Sequence, residues 1–535
     1  MRRVGVRMKR GWRVLLAALV LSAQPAAAAP SAKALSALDA RLQQIMQAWN
    51  PAGMAVAVIA DDKVVFLQGY GVTSTTRDGS KVDGDTLFQL ASISKPLSSA
   101  LIGTYVDQGR LAWSDRIVDR LPWFRVGDDA VTADLRLEDA LSHRSDVEAT
   151  NWLIDVPGMT WRGAAERLRT LPQQAPVRST MIYDNVMYST GGLMLVEQGE
   201  DYAKALSGRL FAPLGMRRSL GDFEALLQRE GVAACHECEL ADGPGPVESV
   251  MATPNVAVPH VRVRDLPSTP IRWRHVATTA ASSGMSSAAD MARFLRMMLN
   301  GGTLDGVRVL KPETVAEILR LHSLARPGRT QPIAGFLVEQ ARIADWSQGY
   351  ALGWYAARYA GVDIRHHGGG LLGVGGSVIM APDRKVAVVV LTNDRLYSSN
   401  HVLAAAYSAL DTALGLPAAD WTGYMRIQDQ RAAAEAEASI PAREGTSLNP
   451  PARLAGRYCH PAYGELTVAA DAAGLAISQG EQRHGRLLRV SGDRFALRWD
   501  GPRFGGRPLA FQIGPDGAAS ALDVDAMRFA ACGAP

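Results

Sequence analysis

The sequence has no Gly-x-Ser-x-Gly element, which counts against an α/β-hydrolase with a Ser-His-Asp triad. Cysteine is scarce, with four residues in 535, so a disulfide-dense scaffold is excluded. The one close pair, in Cys235-His236-Glu237-Cys238, lacks the second pair of ligands that a tetrahedral zinc site needs. It reads as a small local disulfide between Cys235 and Cys238 in an oxidising compartment. Long apolar runs are missing too. The stretch from Val14 to Ala23 is the one that invites a membrane reading, and it falls short of the about 20 residues that span a bilayer.

A large excess of charge of one sign is likewise absent from the body of the chain. The net charge is +4, yet Arg2, Arg3, Arg7, Lys9, Arg10 and Arg13 all precede that apolar run, and no acidic residue does. Basic residues, a short apolar stretch and the small residues Ala26 to Ala29 form the pattern of a secretory signal peptide over 1–28, with cleavage favoured after Ala28. Its removal leaves a slightly acidic mature chain, expected to be periplasmic or secreted with no stable membrane span. A nucleic-acid partner has no support in such a balance.

What remains is a chain with 47% hydrophobic residues, long enough for a full core and more than one domain. Ala55-Val56-Ala57-Val58-Ile59 and Val64-Val65-Phe66-Leu67, joined by Asp61-Asp62-Lys63, predict a hairpin. A second hairpin is predicted from Ser377 to Met380 and from Val386 to Leu391. Helical patterns lie between them, at Leu137 to Leu141, Ala288 to Leu299 and Glu313 to Leu321. The expectation is an α+β domain over 34–416, with one antiparallel sheet built from both ends. The Ala, Glu and Arg-rich stretch from Arg426 to Ala438 and Asn449-Pro450-Pro451 read as part of a linker over 417–451. Short alternating strands such as Glu465 to Val468 and Arg494 to Trp499 then predict a small all-β barrel over 452–535. Closing that barrel would bring its first and last strands together and pair Cys459 with Cys532.

Three elements carry chemistry. Ser92-Ile93-Ser94-Lys95 opens a helix, and residues three apart share a face, so Lys95 can take the Ser92 proton once burial lowers its pKa. Such a pair is weak alone, but Lys95 is the only one of eight lysines with Ser three residues before it. Ser94 is the alternative nucleophile and would need another base. Tyr183-Asp184-Asn185 is the only Tyr-x-Asn among thirteen tyrosines; a phenol can relay a proton, and a carboxamide can hold a substrate carbonyl or orient Lys95. His367-Gly368-Gly369-Gly370 precedes a strand, and glycines there let a strand edge approach substrate with an N–H aimed at a developing oxyanion. His366-His367-Gly368 is the alternative register.

In this order and spacing the three elements resemble the family that joins class C β-lactamases, penicillin-binding D,D-peptidases, D-aminopeptidases and esterases of β-lactamase fold, peptidase family S12. Leu141-Ser142-His143-Arg144-Ser145, Gly284 to Asp290, Leu352-Gly353-Trp354 and Val388 to Asn393 are similar to family landmarks. The resemblance implies a β-lactamase/transpeptidase-like domain, with an antiparallel sheet and flanking helices beside a helical region and Ser92 in the cleft between them. Ser92 would form the acyl-enzyme, Lys95 and Tyr183 would shuttle protons, Asn185 would contact substrate, and His367, Gly369 and Gly370 would line the oxyanion strand. No metal or organic cofactor is implied. His367-Gly368-Gly369 stands where class C β-lactamases carry Lys-Thr-Gly, so efficient β-lactam hydrolysis is not expected; Asp146 stands where relatives carry Gly. The expected substrates are small esters or amides, including peptides with D-residues. The alternatives are a penicillin-binding or sensing module with slow acylation, or a low-efficiency β-lactamase. Leu454 to Tyr458 and Pro461 to Leu466 are similar to the lipocalin-like C-terminal domain of some peptidases of this family, which implies a role in substrate access or in oligomer assembly.

Overall fold

The apolar strands from the two ends of the catalytic region meet in one antiparallel sheet. In the computed structural model the described residues are 29–535 apart from 77–80, 148–152, 154–155, 157, 230–254, 262–267, 272–278, 325–348, 396–399, 439–448, 481–482, 500–506, 526 and 534–535. The leader over 1–28 and the Cys235 and Cys238 pair therefore lie outside the described residues.

Helix α1 (Ala32–Trp49) leads into strands β1 (Gly53–Ala60) and β2 (Lys63–Gly71). Asp61 and Asp62 turn between them with φ of 48° and 59°, a left-handed pair whose twist suits a two-residue hairpin. The rest of the sheet comes from β3 (Ser323–Leu324), β4 (Gly349–Tyr350), β5 (Tyr355–Tyr359), β6 (Val362–Leu371), β7 (Val374–Ala381) and β8 (Val386–Thr392). Its order is β2-β1-β8-β7-β6-β5-β4-β3, so the N-terminal hairpin pairs with the last strand.

Every residue of β1 is buried, as a strand covered on both faces must be. Met54, Val56, Val58 and Ala60 face Leu38, Leu42, Ile45 and Trp49 of α1. Ala55, Ala57 and Ile59 join the other core, with the helical region. That region is built around α2 (Ser94–Asp107), buried from Ser94 through Tyr105, and α3 (Asn185–Val196). Helix α4 (Ala288–Leu299) follows its apolar periodicity, whereas the helix expected over Glu313 to Leu321 spans Pro312–Leu319 and ends where Arg320 turns extended.

Helices α5 (Asn400–Ala413) and α6 (Trp421–Ala438) close the domain. The second forms where the sequence reads as linker. Its contacts come from one end: Trp421 and Met425 are buried beside α1 and α5, Trp421 Nε1 donates to Asp411 Oδ2 at 2.9 Å, and Trp49 Nε1 donates to Asp429 Oδ2 at 2.7 Å. The Ala and Glu that follow lack an apolar face but are strong helix formers.

Beyond it, β9 (Gly456–His460), β10 (Gly464–Asp471), β11 (Gly474–Gln479), β12 (Arg483–Ser491), β13 (Arg494–Trp499), β14 (Arg507–Ile513), β15 (Ala519–Val524) and β16 (Met527–Ala531) form a closed barrel. Tyr458, Leu466, Ile477, Leu497, Leu522 and Phe529 are buried in its core. Cys459 on β9 is bonded to Cys532, one residue past β16, with a Cα–Cα distance of 5.1 Å. Arg167 Nη1 donates to Ala462 O at 2.7 Å and ties the barrel to the helical region. No helix of the described residues is long and apolar enough to cross a membrane.

The anchoring of α6 predicts that Trp421→Ala lowers stability by about 3–5 kcal/mol, the usual loss for a buried tryptophan. Chemical denaturation followed by circular dichroism measures it; a change below about 1 kcal/mol would mean that α6 is not part of the folded unit.

Candidate active site

Ser92 lies in a single turn of 3₁₀ helix, Ala91–Ile93, that leads directly into α2. Ala91 has a φ of 49°, a left-handed conformation that a residue with a Cβ adopts reluctantly. The turn is braced from below. Ser94 Oγ donates to Ala91 O at 2.7 Å and accepts the Gly284 N–H at 2.9 Å. Ser94, the alternative nucleophile, is thus a buried brace.

At the start of α2, one turn after Ser92, Lys95 is completely buried. Its Nζ is 2.7 Å from Asn185 Oδ1, 3.2 Å from Ala281 O and 3.4 Å from Ser92 Oγ. The ring of Tyr183 lies 4.6 Å away and that of Tyr188 5.3 Å away, and Tyr188 donates its hydroxyl proton to Lys95 O at 2.8 Å. Burial drives the Lys95 pKa well below the ordinary lysine range, against the pull of Asp184, whose negative charge favours the ammonium. A neutral amine has two N–H donors and one lone pair. Asn185 Oδ1 and Ala281 O take the donors, and the lone pair is left for the Ser92 hydroxyl.

Tyr183 and Asn185 arrive together because Asp184 caps α3. Its carboxylate accepts the N–H groups of Val186 at 2.8 Å and Met187 at 3.0 Å, which makes Asn185 the first residue of the helix. Burial pushes the Tyr183 phenol above its ordinary range, and its hydrogen bond with Ser92 only partly offsets this. The resting tyrosine is therefore a neutral phenol.

His143 clasps the same segment from behind. Its carbonyl accepts the Ile182 N–H at 2.9 Å, its Nδ1 accepts the Asp184 N–H at 3.2 Å, and its ring lies 4.3 Å from that of Tyr183. Its backbone is left-handed, with φ of 58°. Burial, with Lys95 and His367 nearby, keeps its imidazole neutral.

The ladder between β5 and β6 ends at the Tyr355 and His366 pair, so 367–371 extend past it while remaining paired with β7. This free edge meets the Ser92 turn. A methyl group on Gly369 would come within 2.2 Å of Leu90 O and 3.2 Å of Ile93, so only glycine lets the strand close on the turn. His367 is buried; its Nδ1 donates to Gly368 O at 2.7 Å and its Nε2 accepts the Tyr350 hydroxyl at 2.8 Å. Burial and the nearby Lys95 hold it neutral. His366 instead stacks on Tyr355 at 5.3 Å. The site thus lacks a cation where class C β-lactamases have lysine.

Ser92, Lys95, Tyr183, Asn185, His367 and Gly369 are brought together as the motifs lead one to expect. Asp184 and His143 carry no role in a reading of the sequence. The first had a signal, an Asp directly before an apolar helical run; the second acts through a contact 41 residues distant in the chain.

The comparisons with known proteins agree with this geometry. Residues 38–414 match the family described as Beta-lactamase, and 441–532 match a domain of unknown function, DUF3471. The chain is 27% identical over 467 residues to unguisins hydrolase ungD of Aspergillus violaceofuscus, covering 81% of this chain and 76% of that protein. It is 29% identical over 361 residues to penicillin-binding protein 4 of Amycolatopsis lactamdurans, covering 65% and 82%. Among solved structures, the octameric penicillin-binding protein homologue from Pyrococcus abyssi shares the fold, with a TM-score of 0.58 and 16% identity over 92% of this chain and 99% of that one. SurE has a TM-score of 0.52 and 19% identity over 93% and 99%. The matched span runs from within α1 through the end of α5 and holds every residue gathered around Ser92: the chain belongs to the β-lactamase family.

Proposed function

We propose that the protein is an exported serine hydrolase that cleaves small esters or amides, including peptides with D-residues, through an acyl-enzyme on Ser92. The observation that carries this reading is the buried Lys95, whose Nζ has two acceptors for its protons and lies 3.4 Å from Ser92 Oγ. Export rests on the basic and apolar pattern of the first 28 residues. Hydrolysis is supported by family membership and by a relative named a hydrolase.

In this mechanism the Lys95 lone pair takes the Ser92 proton as Oγ bonds to the substrate carbonyl carbon. The carbonyl oxygen becomes an oxyanion, held by the N–H of Ser92 and by one N–H on the free edge of β6, at Gly369 or Gly370. The carbon–leaving-group bond then breaks, and the proton passes from Lys95 by way of the neutral Tyr183 phenol to the departing oxygen or nitrogen. Water repeats the sequence: it loses a proton toward the Tyr183 and Lys95 pair, attacks the ester carbon and restores Ser92–OH. Asn185 fixes Lys95 and directs its carboxamide toward the substrate. Similarity to a penicillin-binding protein favours a second reading, a module that acylates once and deacylates slowly.

Ser92→Ala should abolish labelling by a fluorophosphonate probe, and Lys95→Met should lower kcat/KM on p-nitrophenyl esters by about 10²–10⁴-fold, the range for a lost general base. Intact-mass spectrometry with stopped-flow kinetics reads both. Sustained turnover supports the hydrolase and a single stoichiometric burst the module; labelling that survives Ser92→Ala would refute the nucleophile. The pH profile of kcat/KM should rise through an acidic limb as Lys95 loses its proton, at a pH well below the ordinary lysine range. Asp184→Asn retains a capping oxygen but removes the anion that favours the ammonium, so the limb should move to lower pH. A limb that stays fixed or moves upward would mean that Lys95 is not the titrating base.

A further inference from the structure

Where the helical region meets the short edge strand β3, three ionisable side chains converge that the mechanism does not use. Glu138 sits on the helix Leu137–Leu141, Glu317 on the helix Pro312–Leu319, and His322 directly before β3. These segments are docked on one another: Arg144 Nη1 donates to His322 O at 3.2 Å, and Ser323 Oγ donates to Ser142 O at 2.8 Å. One ligand atom from each of Glu138, Glu317 and His322 lies within 4.8 Å of those of the other two.

The histidine decides what this cluster can hold. Its side chain has no exposed surface, and burial keeps the ring neutral. Nε2 lies 3.3 Å from Glu317 O. A carbonyl can only accept, so Nε2 carries the proton and Nδ1 the lone pair. Among the described residues Nδ1 has no hydrogen-bond partner, and it faces Glu138 Oε2 at 3.8 Å. Two electron-pair donors thus confront each other with no proton between them, an arrangement that a cation relieves. An ion with bonds of about 2.0–2.2 Å to nitrogen and oxygen spans such a gap with little movement. The contact from Nε2–H to a backbone carbonyl is the support that fixes the tautomer of a metal-ligating histidine.

The neighbouring charges leave these atoms available. Arg144 reaches Glu138 through Oε1, at 3.1 Å, and is shared with Asp139, at 2.6 Å, so Oε2 is left toward His322. Arg320 takes both oxygens of Glu317, at 2.8 and 2.6 Å. It does so from an exposed side chain, and each carboxylate oxygen keeps a further lone pair for a ligand bond. Glu138 and Glu317 are partly exposed, which gives an ion and its water ligands a way in.

We propose that Glu138, Glu317 and His322 form a binding site for a first-row divalent metal ion, zinc being the one suited to an imidazole with carboxylates, and that the ion ties β3 to the helical region. The site is separate from Ser92 and does not depend on the hydrolase reading.

Zinc titrated into the metal-stripped protein should bind saturably by calorimetry and raise the melting temperature. His322→Gln and Glu138→Gln should each weaken binding by at least ~10-fold, since even the partners behind a ligand are worth about 10–100-fold, and each should lose most of the rise. Circular dichroism reports that the variants are folded. X-ray absorption of the zinc-loaded wild type needs no variant: one imidazole with oxygen ligands is the expected shell. A shell containing sulfur, which would put the ion at Cys235 and Cys238, overturns the site. So does zinc binding that both folded variants retain in full, or a wild type that shows no saturable binding.

Discussion

Lys95 spends its working life as a basic side chain with no access to water, on a helix whose whole first half is core. Much of the catalytic domain can be understood as the set of contacts that makes this tolerable. Its ammonium form has Asn185 Oδ1, Ala281 O and the distant charge of Asp184 for company. Its neutral form keeps both carbonyl-type acceptors and gains a use for its lone pair. Desolvation favours the neutral form, and three separate chain segments, around 95, 184 and 281, must be held in register for that balance to be useful. The caps and braces described above do this. Asp184 fixes the start of α3, Ser94 ties the nucleophile turn to Gly284, and His143 grips the backbone on both sides of Tyr183.

The sheet supplies the second half of the site and imposes a different constraint. A strand that outruns its neighbour presents unpaired backbone groups, and β6 does so over the residues facing Ser92. Glycine is needed there for two opposite reasons: Gly369 lacks a Cβ so that the nucleophile turn can approach, and Gly370 so that the Arg395 guanidinium can. The neutral His367 is locked between Tyr350 and Gly368 O, so the strand itself presents no cation to the cleft.

How much of this was legible in the sequence follows from how local each determinant is. The hairpins, their union in one sheet and the short strands of the barrel could be read from period-two patterns. The Ser92 and Lys95 pair needed only helical spacing, and Tyr183 with Asn185 only proximity in the chain. Helix α6 was hidden because two residues, Trp421 and Met425, carry its packing, too few for a periodic signal. The clasp by His143 depends on contacts with residues about 40 positions further along the chain, and no spacing rule encodes that. The neutral state of Tyr183 is of the same kind, since burial, not the residue type, sets it.

The central claim is that Lys95 is unprotonated at the pH of catalysis. With eight lysines in the chain, selective ¹³Cε lysine labelling makes a direct titration by NMR tractable, with Lys95→Met assigning the resonance. One signal titrating far below the others, and missing from that variant, is the predicted result. A Lys95 resonance that titrates with the exposed lysines would contradict the account and leave Ser92 without its base.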